Sequence, residues 1–280
     1  MDLALPPIAG MPSRRARIRR DSDAFARRLR RWRGHLGRAG GAFNAAPLAL
    51  RIAGIAAASV IILSVANFAY HAARKPAEML SPLSGVLKKT PAETWRQYEP
   101  FFREYSTAAI SPALLAALAQ VEGGGNPVAL TYWRWRWSWN PFALYEPASS
   151  AVGMYQMTDA AFAEARRYCI RDHLVVEDGC SPGGALSRLL PSRAIELAAV
   201  SLDRGVTALL PRRRAARASQ GQKEELAAVL HLCGAGRASA FAAHGFRLAS
   251  GERCGEHDVA AYLDRIRTLE RQFRSLAAEG

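Results

Sequence analysis

The sequence predicts a mostly α-helical protein in which a single transmembrane helix precedes a domain of several short helices. Three observations predict this class. Residues 52–73 contain no Asp, Glu, Lys or Arg. Helix-start signals recur along the rest of the chain, from Thr90 to Asp258. Strand signals are scarce, and no internal repeat is evident. At 280 residues there is room for one sizeable domain with an appendage, and half of the residues are hydrophobic, enough for a packed core.

In a helix, about 22 residues cover roughly 33 Å, the thickness of a bilayer core. A buried core helix is the plainer alternative, but residues 52–73 show no amphipathic stripe and have polar flanks. A cleaved signal peptide fits less well, because the basic region before the stretch is long and residues 69–73 form only a weak cleavage-like site. The formal charge of +14 invites a nucleic-acid reading, so its distribution matters. Residues 1–51 hold 12 Arg against Asp2, Asp21 and Asp23, which accounts for +9 of that total. The remainder is only mildly basic, and no nucleic-acid partner is expected. Arg74, Lys75, Lys88 and Lys89 follow the span more sparsely. The positive-inside rule then leaves the tail in the cytoplasm, where it can touch anionic head groups, and puts residues 74–280 outside. The expected location is the inner membrane, single-pass, with the helical domain in the periplasm.

Cys169, Cys180, Cys233 and Cys254 all lie beyond the span. An even count in an exported domain suggests disulfides, and the pairs Cys169–Cys180 and Cys233–Cys254 each close a local segment. A zinc site built from Cys233, Cys254, His244 and His257 is the alternative, though the spacing matches no common zinc module.

Four divisions follow: a tail over 1–51, the span over 52–73, a linker with an aromatic helix over 74–107, and the main domain over 108–280. Thr90-Pro91-Ala92-Glu93 reads as a capping box, with Pro at the first helical position. Trp95, Tyr98, Phe102 and Tyr105 then recur at helical spacing as a core face, with Pro100 expected to kink or split the segment. Ser111-Pro112 starts a second helix with Leu114, Leu115, Leu118 and Val121 as its apolar stripe; Gly123, Gly124 and Gly125 stop it. Further helices begin near Thr158, Ser192, Gln222 and Asp258, the last with Leu263, Ile266, Leu269, Phe273 and Leu276 on one side.

Glu122 sits at the end of the Leu-rich helix, just before the glycines. The negative end of the helix dipole and a half-buried setting both favour the neutral acid there. A protonated carboxyl is what glycosidic cleavage needs to protonate a leaving oxygen. Residues 149–158 read Ser-Ser-Ala-Val-Gly-Met-Tyr-Gln-Met-Thr. Small residues on that turn let backbone approach a ligand, and Gln156 can donate to and accept from a sugar amide.

These runs resemble the transglycosylase SLT family, lytic transglycosylases with a lysozyme-like fold. Residues 110–127 are similar to its helix ending in the catalytic Glu and followed by Asn-Pro. Gly153 and Gln156 match its Gly-Ala-x-Gly-Leu-Met-Gln segment. Asp258-Val259-Ala260-Ala261-Tyr262 is similar to its acidic-Thr-x-x-Tyr segment. The resemblance covers residues 108–270 and implies a lysozyme-like domain with Glu122 as catalytic acid/base. It also implies that Ser149, Ser150, Gly153, Gln156 and Tyr262 bind substrate. The family's Tyr-Asn-Ala-Gly segment appears only as Cys233-Gly234-Ala235-Gly236, its Tyr and Asn missing. Pro147 stands at the spacing of the family's substrate-site Ser, so Ser149 or Ser150 has to serve.

The connection from Glu122 to Gln156 is longer than usual for the family and carries Trp133, Trp135, Trp137 and Trp139 alternating with Arg134, Arg136 and Ser138. Period-two spacing puts the four Trp on one face of an extended segment. That face could pack over the core as a hairpin, contact glycan through Trp133, Trp135 and Trp137, or sit near a membrane interface.

The implied reaction cleaves the β-1,4 MurNAc–GlcNAc bond of peptidoglycan and closes a 1,6-anhydro ring on the MurNAc product. One carboxylate suffices for it, and neither a metal nor an organic cofactor is expected. Glu146 is the nearest later acid and a candidate second carboxylate, although a plain loop acid is the simpler reading. Two alternatives remain open: a muramidase-type hydrolase on the same fold, and a non-catalytic peptidoglycan-binding scaffold of an envelope-spanning machine. The expected partners are glycan strands, the membrane, and a secretion or conjugation apparatus.

Overall fold

The computed structural model describes residue 28 and residues 43–80, 85–181, 183–211 and 215–279. Most of the expected Arg-rich tail therefore lies outside the described residues. The chain divides into two compact units, Met1–Ala66 and Asn67–Gly280. The described residues are mostly helical.

Helix α1 (Leu48–Arg74) carries the uncharged stretch. Ile52, Ile55, Val60, Leu63 and Val65 are each more than half exposed, and no residue of its most apolar window is buried. Its length and composition suffice to cross a membrane. A second helix, Gln220–Ala243, passes the same test, but Leu226, Ala227 and Ala228 are fully enclosed in it, as in a core helix.

The second unit contains α2 (Pro91–Glu104), α3 (Pro112–Gly123), α4 (Asp159–Ala165), α5 (Pro191–Leu209), α6 (Gln220–Ala243) and α7 (Val259–Glu279). Three small antiparallel pairs join them: β1 (Trp133–Trp135) with β2 (Tyr145–Pro147), β3 (Cys169–Arg171) with β4 (Leu174–Val176), and β5 (Arg253–Cys254) with β6 (His257–Asp258). Hydroxyl side chains cap four of the helices: Thr90 before α2, Ser111 before α3, Thr158 before α4 and Ser219 before α6. Each such cap satisfies a backbone N–H otherwise left open and is worth about 1 kcal/mol. At Thr90 the box is complete, because Glu93 accepts from the Thr90 N–H at 2.8 Å.

Helix α3 lies at the centre. Leu114, Leu115, Ala116, Ala117, Leu118 and Ala119 are all fully buried, so the expected stripe is instead a helix enclosed on every side. The alanines, invisible to a count of large apolar residues, let α7 and α2 approach it closely. Trp95, Tyr98 and Phe102 form the buried face of α2 as expected. Pro100 does not split α2. Its ring is exposed, and the carbonyl it leaves unbonded sits on the wet face, where water can satisfy it. On α7, Leu263, Ile266 and Phe273 are buried, with Leu269 and Leu276 packed beside them. The expected linker is partly folded: Pro76–Leu80 is a 3₁₀ turn whose Ala77 packs with Val152 and Leu189.

Both disulfides pair as expected, Cys169 with Cys180 and Cys233 with Cys254. Sulfurs bonded to one another cannot be thiolate ligands, so the zinc alternative falls. Cys233 lies within α6 rather than in a loop, next to Gly234, where the helix is kinked by left-handed backbone (φ 78°). Two such bridges point to an oxidising compartment.

Candidate active site

Glu122 is the last residue but one of α3, and Gly124 ends the helix in the left-handed conformation. The helix end meets the Gly153–Tyr155 backbone closely. A Cβ on Gly123 would stand 2.7 Å from Met154 Cα, so only glycine permits this approach. Tyr155, fully buried, donates from its hydroxyl to the Leu115 carbonyl at 3.0 Å and ties the same loop to the middle of α3.

Two side chains converge on one oxygen of Glu122. The Tyr262 hydroxyl donates to Oε1 at 2.7 Å, and His231 Nε2 lies 3.8 Å from that atom. Tyr262 reaches it from the first turns of α7, which packs along α3, and is 8 % exposed. Burial, then the charge of Glu122 and the hydrogen bond to it, push the phenol well above its usual range, so it remains a donor at any working pH. The Glu122 side chain itself is 19 % exposed, open enough for a ligand to reach it.

The expected loop residues separate by role. Ser149 and Gln156 line the cleft beside Glu122. Gln156 adopts φ +44°, and its amide nitrogen donates to Ala129 O at 3.2 Å and to Gly153 O at 3.0 Å. Its donor capacity is therefore used inside the loop, and its carbonyl oxygen is the group left to meet a ligand. Ser150 accepts from the Asp159 N–H at 3.1 Å and closes the loop onto the start of α4. Gly153 lies outside the lining; with φ +80° and the Arg188 carbonyl against its Cα, it is the position where a side chain would collide.

Glu122, Ser149 and Gln156 border a cleft of about 710 Å³, completed by residues of α4, α5 and α6 and by His257. The kinked stretch of α6 supplies His231 and Ala235 to it. Glu164 and Arg204 are its other charged residues. A cavity of this size suits a ligand of several rings. Glu146, the candidate second carboxylate, is not in the lining; it pairs with Arg136 at 3.1 Å across the β1–β2 hairpin. None of Trp133, Trp135, Trp137 and Trp139 lines the cleft.

Two contributors carry no signal in the sequence. His231 belongs to no spacing pattern and comes to Glu122 only through the packing of α6. Arg188, 8 % exposed, donates to Ser150 O at 3.2 Å, Met157 O at 2.8 Å and Asp159 Oδ1 at 2.6 Å, and so holds the ends of the cleft loop together. No known protein-family model and no curated protein matches the chain.

Proposed function

We propose that the protein is a membrane-anchored lytic transglycosylase of the SLT family, with a lysozyme-like helical domain. It cleaves the β-1,4 MurNAc–GlcNAc bond of peptidoglycan and forms 1,6-anhydro-MurNAc. The observation that carries this reading is the placement of Glu122: a helix-end carboxyl in an open cleft, held at one oxygen by Tyr262 and faced by Ser149 and Gln156.

With Oε1 taken by Tyr262, the other oxygen meets the scissile bond. Glu122 protonates the bridging oxygen while the acetamido group of the substrate stabilises the oxocarbenium-like centre. The resulting carboxylate then removes the proton of the MurNAc 6-hydroxyl, whose oxygen attacks the anomeric carbon and closes the anhydro ring. The proton that leaves Glu122 in the first step is thus returned in the second. Tyr262 holds the carboxyl in place through both steps and supports its charge between them. The Gln156 carbonyl oxygen suits an acetamido N–H. Helix α1 anchors the domain, with the Arg-rich tail in the cytoplasm and residues 74–280 in the periplasm. A tethered wall-cutting domain suits an envelope-spanning secretion or conjugation machine.

Glu164 on the cleft wall favours a second reading, a hydrolase that uses it to activate water. Digestion of purified peptidoglycan by the detergent-solubilised full chain, with mass spectrometry of the products, separates the two. Anhydro ends are expected; reducing ends would indicate hydrolysis, and intact strands would leave a binding scaffold.

A further inference from the structure

The Trp-bearing β1–β2 hairpin packs against the last two turns of α1. Asn67 Nδ2 donates to Tyr145 O at 2.8 Å and His71 Nε2 to Phe142 O at 2.8 Å. Tyr70 stacks on Phe142 with ring centroids 4.7 Å apart, and Phe68 and His71 both contact the Trp133 ring. These contacts fix the hairpin at the end of the helix. What the hairpin then leaves uncovered is unusual: Trp135 is 78 % exposed, Trp137 92 % and Trp139 97 %, with Tyr132 at 70 %. A core-packing role for this face is thereby corrected, because only Trp133 is partly buried.

We propose that the hairpin is an interfacial anchor whose exposed indoles enter the head-group layer of the bilayer beside the exit of α1. This rests on the reading of α1 as a membrane span. A cluster of large apolar side chains left in water is costly and marks an interaction surface. The indole, with an apolar body and one N–H donor, is the side chain that concentrates at the membrane–water boundary. The place is right as well. Asn67 and His71, polar side chains in the last two turns of the apolar helix, are the residues that clamp the hairpin, so it sits at the C-terminal end of the span. Strand alternation turns Arg134 to the opposite face, across from Glu146, and Arg136, just past β1, pairs with that same carboxylate. The hairpin is therefore amphipathic across its thickness. A collar of this kind sets the height and tilt of the cleft over the membrane and limits which glycan strands the site can reach.

The test uses full-length protein carrying Trp32→Phe, reconstituted in phosphatidylcholine–phosphatidylglycerol vesicles. Lipids brominated near the head group should quench tryptophan fluorescence strongly, lipids brominated near the chain ends much less, and aqueous iodide little. Trp95 is buried in the core and contributes to none of these differences. Changing Trp135, Trp137 and Trp139 to Ser should remove most of the head-group-depth quenching. Quenching by iodide and not by bromolipid, in protein that an alkaline wash leaves in the vesicles, would overturn the anchor and leave the span intact. Release by the alkaline wash would overturn the span itself, and the anchor with it. Shielding from iodide by added glycan strands, in vesicles where bromolipid does not quench, would assign the indoles to substrate instead.

Discussion

Tyr262 and His231 meet the same oxygen of Glu122, one by a short hydrogen bond and the other from 3.8 Å. A hydroxyl that donates to a carboxylate contributes most when the carboxylate is charged, midway through the proposed reaction. Tyr262→Phe removes that donor and keeps the ring in its packing. A hydrogen bond to a charged group is worth about 1.5–3 kcal/mol, or roughly a tenfold to hundredfold loss in kcat. The rate of anhydro-product release against glycan concentration should show this loss with KM little changed; a near wild-type kcat would remove Tyr262 from the machinery. Glu122, Gln156 and Tyr262 were legible in the sequence because each sits in a short local pattern. Gln156 was legible only in part, since its left-handed backbone and inward-facing amide depend on Ala129 and Gly153. His231 and Arg188 were not legible, because their roles depend on which helix faces which.

At the scale of elements, capping residues marked the helix starts well, since a cap is a contact between neighbours in sequence. The surroundings of a helix were harder to read. Helix α3 looked one-sided and is enclosed, and the Trp segment looked able to cover a core and does not. The contact between α6 and α7 holds a buried acidic pair, Glu224 and Glu270, bridged by Arg274 at 3.3 Å to each. Oε1 of Glu270 has no hydrogen-bond partner among the described residues. Burial, and then the charge of Glu224, raise the Glu270 carboxyl to about 7. This lies above its unfolded value of about 4.3, so the folded state binds the extra proton between the two. The stability it contributes is whole below the lower value and is lost as pH rises through the upper one. Thermal denaturation should show wild type losing on the order of 3 kcal/mol across that window, and Glu270→Gln losing much less. Equal slopes for the two proteins would show that Glu270 does not titrate there.

For the whole molecule, hydropathy made the apolar helix and the helical character of the rest readable, and cysteine spacing made the disulfides readable. The second compact unit begins at Asn67 and takes in the last turns of α1. Apolar composition cannot show that the end of the run is held by Tyr145 and Phe142, residues far along the chain. The proposed wall-cutting site, if fixed to a membrane span, would work within a limited height above the bilayer. All of it depends on Glu122 being the acid and base. Glu122→Gln keeps the side chain's shape but can neither deliver nor retrieve a proton, a loss of general acid–base catalysis worth about 10² to 10⁴-fold. Wild type and Glu122→Gln, both full length, should be incubated with purified peptidoglycan and their soluble products weighed by mass spectrometry. Wild type should release anhydro-ended fragments, and the variant should release almost none while still pelleting with the glycan. Release by the variant at the wild-type rate, or by neither protein, would contradict the assignment.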